Sequence, residues 1–333
     1  MPSMNCSSEE NPGVRIKEIG SFFAGGRRVT LTDQPVQQVQ VARNAPARTV
    51  DMNGDYITGQ CYVQYLRQVA PAFDAPLMFW HGGGMTGAMW ETTPDGRPGW
   101  HSYFLNAGFD TFICDAVERG RASWSPYPQI YKEGPVFRTL NDVWNMFRFG
   151  PADTYAPEVA EQHPFDGVRF PMSDLDTFGA QFVPRWVTHA DITLDAYYQA
   201  LQQVGPVWLI AHSQGGNLAL EAVATHPEFF RGVVIIEPAS VPPVTGRAAQ
   251  VPHLFIWGDN VEEFAIWKVY RSATNGYVDQ LQAEGCAAKI LDLPASGITG
   301  NTHAMMMDDN SDQIASMVLE WMSETGRILG SDR

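Results

Sequence analysis

The stretch Val207–Glu221, VWLIAHSQGGNLALE, decides how the rest of the chain is interpreted. An unbroken apolar run passes through Ala211-His212-Ser213-Gln214-Gly215 into a segment with helical periodicity. This is the G-x-S-x-G pattern with alanine in first place, and small residues two before and two after a serine allow a strained strand-to-helix turn. We therefore predict that Ser213 is a nucleophile at a helix N-terminus, where the Gln214 N–H stabilises developing negative charge.

A glycine-rich turn upstream provides the second half of such a site. The segment Leu77–Met85, LMFWHGGGM, leaves a predicted strand through three consecutive glycines. Without side chains, these residues allow backbone N–H groups to approach a substrate oxygen closely. We expect the Gly83 and Gln214 N–H groups to form an oxyanion hole, with Gly84 or Met85 as neighbouring donors that could replace Gly83.

The general base is expected near the C-terminus, after the nucleophile and the acid in chain order. His303, in the segment Gly300–Met307 (GNTHAMMM), follows the last predicted strand and precedes the last predicted helix. The remaining histidines precede the serine turn, belong to it, end a helix or begin a strand. We therefore predict that His303 is the base, and that His212 is structural.

Two carboxylates compete for the role of the acid that orients His303. Glu237 ends the apolar strand Val233–Ile236, and Asp259 follows the strand Leu254–Trp257. In most proteins with this plan the acid lies a couple of residues beyond the glycine of the later strand, a spacing that Asp259 misses. A carboxylate at the end of a wholly apolar strand is costly unless it has a function. The sequence favours Glu237, with Asp259 as the alternative acid or else a structural or helix-capping residue.

The rest of the chain alternates short apolar strands with helical stretches, which is typical of a parallel sheet covered on both faces. The predicted strands are Phe22–Leu31, Gln60–Arg67, Leu77–Trp80, Thr111–Cys114, Val207–Ala211, Val233–Ile236, Leu254–Trp257 and Lys289–Leu293. The predicted helices are Gly99–Ala107, Ile192–Gln203, Gln214–His226, Glu262–Glu284 and Ser311–Thr325. We expect a flexible arm at residues 1–19 and one domain at 20–333. An aromatic-rich insertion at about 117–190 is interpreted as a cap, with Leu140–Phe149 as its best helix.

Composition excludes several classes of function. The 333 residues carry a formal charge of −15 without a Lys/Arg cluster, which argues against nucleic-acid and membrane partners. No nucleotide-binding glycine motif is present, so no cofactor is expected. Asp308, Asp309 and Asp312 are interpreted as residues at a helix start, where carboxylates favour the helix dipole, and no metal is expected.

The cysteines and the N-terminal segment bear on location. No CxxC pattern occurs, and a Cys61–Cys286 disulfide is left open by the sequence. The first residues lack a basic region followed by an apolar one, so we expect a cytoplasmic protein, or a secreted one if the chain is a processed form.

From about residue 70 to 325, the chain resembles the α/β-hydrolase superfamily, and Asp115–Ser123 looks like the segment after its fourth strand. More narrowly, His81-Gly82, Thr86-Gly87 and Trp90–Arg97 (WETTPDGR) are similar to a small group of microbial carboxylesterases. The resemblance implies a mostly parallel sheet with an inserted cap and a triad acid that is a glutamate after the sixth strand. It also implies secretion and a homodimer.

These observations predict a serine esterase that cleaves a carboxylic ester or lactone through an acyl-enzyme. An aromatic cap suggests a moderately large apolar substrate, and the net charge disfavours strongly anionic esters. The alternative is a biosynthetic enzyme of the same fold that uses the triad for thioester release, cyclisation or condensation.

Overall fold

The computed structural model describes residues 13–331, and its main element is a sheet. The strands are β1 (Ile16–Leu31), β2 (Gln37–Val39), β3 (Arg48–Val50), β4 (Gly54–Gln68), β5 (Leu77–Trp80), β6 (Thr111–Asp115), β7 (Val207–His212), β8 (Phe230–Ile236), β9 (His253–Trp257) and β10 (Ala288–Asp292). The α-helices are α1 (Trp100–Asn106), α2 (Leu140–Phe147), α3 (Leu175–Gly179), α4 (Ala190–Val204), α5 (Gln214–Thr225), α6 (Ala265–Ala283) and α7 (Ser311–Ser331).

Eight strands form one sheet in the order β1-β4-β6-β5-β7-β8-β9-β10, and β2 pairs with β3 separately. The strands from β6 to β10 are parallel to one another, whereas β4 is antiparallel to both β6 and β1. The predicted fold class is confirmed: this is an α/β protein with a mostly parallel sheet. Because the parallel strands end at one edge, the residues that follow β5, β7 and β8 meet there.

The central strands are buried on both faces of the sheet, which explains why they are unbroken apolar runs. On one face Met78 and Trp80 of β5 belong to a core cluster with residues of α4 and α5. Leu77 and Phe79 point to the opposite face and join a cluster that includes α1 and α7. Successive side chains of a strand alternate between faces, so each residue of β5 contributes to a core.

The edge strand β1 is longer than the sequence predicted. It begins at Ile16, whereas the sequence predicted Phe22, and its first residues belong to the expected arm of residues 1–19. Its pairing with β4 starts at Gln68 and is irregular between Ile16 and Glu18. The first six residues of β1 are exposed or half-buried, so they gave no alternating apolar signal. The first twelve residues of the expected arm lie outside the described residues.

The segment between β6 and α4 carries α2, α3 and several turns. Thr139 caps α2, because its side chain accepts a hydrogen bond from the Asp142 N–H. The helix ends at Phe147, two residues earlier than predicted, because Arg148 adopts a left-handed conformation with φ of 58°. The aromatic rings of Phe147, Phe149 and Phe178 pack together behind this turn. The interpretation of the segment as a cap remains a proposal.

The disulfide that the sequence left open is absent. Cys61 and Cys286 are free and buried. Cys61 lies in β4, and Cys286 precedes β10, which is six positions further along the sheet. At about 4.8 Å per strand, the separation far exceeds the roughly 7 Å that a disulfide can span between Cα atoms.

Candidate active site

Ser213 occupies a strained turn between β7 and α5. Its φ of 52° and ψ of −116° place it in a conformation that residues other than glycine rarely adopt. Its N–H donates to Ile236 O at 2.9 Å, which ties the turn to the end of β8. Gly215 packs against the backbone, and a Cβ there would lie 2.5 Å from His81 O. The Ser213 hydroxyl forms no hydrogen bond with any described residue, so it is available to react.

The structure brings Glu237 and His303 together at the same edge of the sheet. Glu237 follows β8, has a φ of 42° and is fully buried. His303 Nδ1 lies 2.5 Å from Glu237 Oε2. An ionised carboxylate can only accept hydrogen bonds, so Nδ1 carries the proton and Nε2 is left as the basic nitrogen.

Arg148 is the site residue that the sequence did not reveal. Its Nη1 and Nη2 donate to the two oxygens of Glu237 at 3.0 and 2.5 Å, and its Nε donates to Asp259 O at 2.7 Å. The guanidinium also lies 4.7 Å from the centre of the Trp267 ring. Arg148 is 89 positions from Glu237 in sequence, and no motif links the two. Only the three-dimensional path of the insertion brings this cation to the acid.

Burial and neighbouring charges act in opposite directions on the pKa values of Glu237 and His303. Burial alone raises the pKa of Glu237, but the Arg148 charge and the His303 hydrogen bond outweigh it and lower the pKa to about 2. Burial lowers the pKa of His303 to about 4, although Glu237 acts in the opposite direction. At neutral pH, Glu237 is therefore ionised and His303 is a neutral base.

Asp259 does not contact the His303 side chain. Its Oδ2 accepts a hydrogen bond from the Gly300 N–H at 3.0 Å, and its own N–H donates to Asn301 O at 2.8 Å. Its Oδ1 accepts from the Asn260 N–H. Asp259 thus fixes the loop that leads to His303. Of the two carboxylates that the sequence left in competition, Glu237 is the one that contacts the histidine.

Two further residues fix the His303 loop. His212 Nε2 lies 2.8 Å from His303 O, which can only accept, so His212 donates a hydrogen bond there. Asp308 is fully buried and accepts hydrogen bonds from the Thr302 N–H, the Thr302 hydroxyl and the Asn301 amide. Asp308 stands at the start of α7, as the sequence indicates, because its backbone O accepts from the Ser311 N–H at 3.0 Å, but its carboxylate binds the loop and makes no hydrogen bond to the helix.

The other two carboxylates of this cluster do not share the contacts of Asp308 with the His303 loop. Asp309 pairs with Arg169 at 3.0 Å, and Asp312 lies in the first turn of α7. Within the described residues, no group of three or more His, Cys, Asp or Glu side chains is arranged to hold a metal ion.

The glycine turn lies directly against Ser213. A Cβ on Gly82 would lie 3.4 Å from Ser213 Cβ, which is ordinary contact, but only 2.5 Å from His212 Nδ1, so glycine is required against the His212 ring. His81 holds the turn, since its Nε2 accepts from the Ala116 N–H and its Nδ1 donates to Gly82 O. The Gly83 N–H donates to no described residue, whereas the Met85 N–H donates to Gly82 O at 3.3 Å. Gly83 is therefore better suited than Met85 to bind a substrate oxygen.

Aromatic side chains enclose His303. Its ring centre lies 4.4 Å from that of Trp267 and 5.1 Å from that of Phe147. Phe182 extends this apolar surface from Phe147. Met305, Met306 and Met307, which follow His303 closely in sequence, are all buried in the core.

Known proteins share this architecture. The family model for the alpha/beta hydrolase fold matches residues 75–269. A probable secreted lipase, phiG, from a fungal species (strain ATCC 74256) is 28% identical over 335 residues, which cover 82% of this chain and 88% of that protein. A bacterial esterase of known structure is 28% identical, with a TM-score of 0.79 over 94% of this chain and 97% of the other. On this match of sequence and architecture, the chain belongs to the α/β-hydrolase-fold family.

Proposed function

We propose that the protein is a serine hydrolase that cleaves a carboxylic ester or lactone through an acyl-enzyme. The observation that carries the proposal is the buried His303–Glu237 contact of 2.5 Å, at the same sheet edge as the strained Ser213 turn. A carboxylate that orients a neutral imidazole at the same sheet edge as a half-buried serine hydroxyl is the arrangement that acyl transfer requires. The names of the two relatives, a lipase and an esterase, support the same reaction.

In the proposed reaction, His303 Nε2 removes the Ser213 proton as the serine oxygen attacks the ester carbonyl. The Gly83 and Gln214 N–H groups stabilise the oxyanion of the tetrahedral intermediate. His303 then protonates the leaving alcohol, and an acyl-enzyme remains on Ser213. Water, activated by His303, attacks this ester and releases the acid. Glu237 stabilises the imidazolium that forms in each half-reaction.

The proposal is tested by hydrolysis of 4-nitrophenyl butyrate. We expect wild-type protein to release 4-nitrophenol, and Ser213→Ala to lose about 10⁴-fold or more in kcat with little change in Tm. Ser296→Ala is the matched control, because Ser296 is exposed and its hydroxyl donates a hydrogen bond to Asp292 O, away from the candidate site. Full activity in Ser213→Ala would overturn the assignment of the nucleophile.

Location and assembly remain predictions. In the part of the chain that the structure describes, none of the helices combines the length and apolarity needed to cross a membrane. The fungal relative is called secreted in its own name, whereas we expect this chain in the cytoplasm, or outside the cell if it is a processed form. Fractionation of the native host tests the location, and the mass measured by light scattering tests the proposed homodimer.

A further inference from the structure

The guanidinium of Arg185 lies against the glycine turn that carries the proposed oxyanion hole. A side chain on Gly83 would overlap Arg185 Nη1, and its Cβ would lie 2.9 Å from Gln214 Oε1. Because this Cβ would be about 2.5 Å from the Gly83 nitrogen, Arg185 Nη1 lies within about 5 Å of that nitrogen. Two donors that bind one oxygen at about 2.9 Å each are usually about 3–5 Å apart. The spacing therefore allows one substrate oxygen to accept hydrogen bonds from both groups.

This guanidinium has donors but no partner. Among the described residues, its nitrogens form neither a hydrogen bond nor an ion pair, and its Nε is shielded from solvent. Burial, and then repulsion from Arg138, lower the pKa of Arg185. A buried donor on a cation costs free energy unless a ligand or an intermediate pairs with it in another state of the protein.

Arg138 contacts the same turn but is already engaged. Its Nη1 pairs with Asp142 at 2.5 Å, and its Nε donates to Gly83 O at 3.4 Å. The charge of Arg138 is thus neutralised by Asp142, and its hydrogen bond helps to orient the Gly83 peptide group. Of the two guanidinium groups on this turn, Arg185 is the one without a carboxylate partner in the described part of the chain.

Neighbouring segments hold the backbone of Arg185 in place. The Arg185 N–H donates to Val136 O at 3.0 Å, and the Val136 N–H donates to Arg185 O at 2.7 Å. Two residues earlier, the Val183 N–H donates to Gly84 O at 2.8 Å, which joins this segment to the glycine turn itself. A fixed backbone therefore presents the guanidinium to the turn before any substrate binds, as electrostatic stabilisation of a transition state requires.

We propose that Arg185 is a third, cationic donor of the oxyanion hole, which binds the negatively charged oxygen of each tetrahedral intermediate. The assignment rests on the ester hydrolysis proposed above. As Ser213 Oγ bonds to the carbonyl carbon, the π electron pair moves to the carbonyl oxygen, and Arg185 donates a hydrogen bond there without losing its proton. When the intermediate collapses, this pair re-forms the carbonyl bond, and the leaving alcohol takes its proton from His303. Hydrogen bonds between charged groups are stronger than neutral ones, so Arg185 stabilises the intermediate more than the neutral ester.

The first test measures activity and stability in Arg185→Met with 4-nitrophenyl butyrate as the substrate. Methionine removes the charge and every donor, so kcat and kcat/KM should fall together by about 10²- to 10³-fold. Because the lost guanidinium had no partner, Tm should stay the same or rise. Arg185→Lys, which retains the charge, should lose less activity. Arg247→Met is the matched control, since Arg247 is an exposed arginine paired with Glu228 at 3.3 Å, and it should keep full activity.

The second test follows the oxyanion itself. Pentyl trifluoromethyl ketone forms a hemiketal with a reactive serine and places a negatively charged oxygen in the oxyanion hole, whereas pentyl methyl ketone binds as the neutral ketone. In Arg185→Met, the Ki of the trifluoromethyl ketone should rise by about the factor by which kcat/KM falls. The Ki of the methyl ketone should change by less than about 3-fold.

The outcomes separate this role from others. Unchanged or increased kcat/KM in Arg185→Met overturns the assignment and leaves ester hydrolysis standing. A loss of activity with a lower Tm and equal increases in both Ki values also overturns it, because Arg185 would then hold the site together. No hydrolysis by folded wild-type protein overturns the proposed function, and the role of Arg185 with it.

Discussion

Replacement of Arg148 by methionine should destabilise the protein and shift the pH dependence of catalysis. Arg148 and Glu237 are both fully buried and are joined by two hydrogen bonds of 3.0 and 2.5 Å. With charge centres about 4 Å apart and an effective dielectric constant of about 20, their interaction is about 4 kcal/mol, or roughly 3 pKa units. Methionine fills similar volume without the charge, so the pKa of Glu237 should rise from about 2 towards roughly 5.

Two measurements on the Arg148→Met variant test this reasoning. The free energy of unfolding in urea should fall by about 3–5 kcal/mol, because removal of one partner leaves a buried charge unpaired. The acid limb of kcat/KM should move to higher pH, because both the acid and the base become easier to protonate without the Arg148 charge.

The matched control is Arg271→Met. Arg271 also pairs with a carboxylate, Asp292, at 2.7 Å, and lies over a tryptophan, but its ion pair is partly exposed. Its loss should cost about 1 kcal/mol or less and leave the pH profile unchanged. Equal effects of the two substitutions on stability, with no movement of the acid limb, would refute the positioning role of Arg148.

Three further predictions concern the residues of the site. Glu237→Gln should lower kcat by about 10³- to 10⁴-fold. Asp259→Asn should lower kcat far less, because Asp259 only fixes the loop that leads to His303. A larger loss of kcat in Asp259→Asn than in Glu237→Gln would make Asp259 the acid. Protonation of His303 removes the base, and burial lowers the pKa of His303 to about 4. The value of kcat/KM should therefore stay constant from neutral pH down to about pH 5 and fall below it. A midpoint of the acid limb near 6.5 would show that burial does not lower the pKa of His303. Gly83→Ala should reduce kcat/KM by about 10-fold or more, because the added methyl group displaces Arg185 or Gln214; unchanged steady-state kinetics would exclude Gly83 from the site.

Much of the fold could be predicted because its signals are local. The central strands are short runs buried on both faces, so their apolar character is visible without knowledge of their neighbours. The strand-to-helix turn at Ser213 can likewise be recognised from its own residues, because close backbone packing requires small residues around the serine. The exposed edge strand β1 lacked such a signal at its beginning.

The parts that were missed depend on contacts between distant segments. Arg148 ends a short helix within the insertion, and nothing in its sequence neighbourhood indicates that its guanidinium reaches Glu237. Asp308 stands beside a helix start in sequence, but its oxygens bind Thr302 in the His303 loop. The unpaired donors of Arg185 follow from the way the insertion packs on the glycine turn.

Covalent labelling of Ser213 tests the central claim most directly. The folded protein is incubated with a fluorophosphonate and examined by intact-mass and peptide mass spectrometry. We predict one adduct per chain, located on the peptide that contains Ser213, with loss of esterase activity in proportion to labelling and no adduct in Ser213→Ala. Ester turnover by a protein that stays unlabelled, or labelling that persists in Ser213→Ala, would contradict the proposed acyl-enzyme.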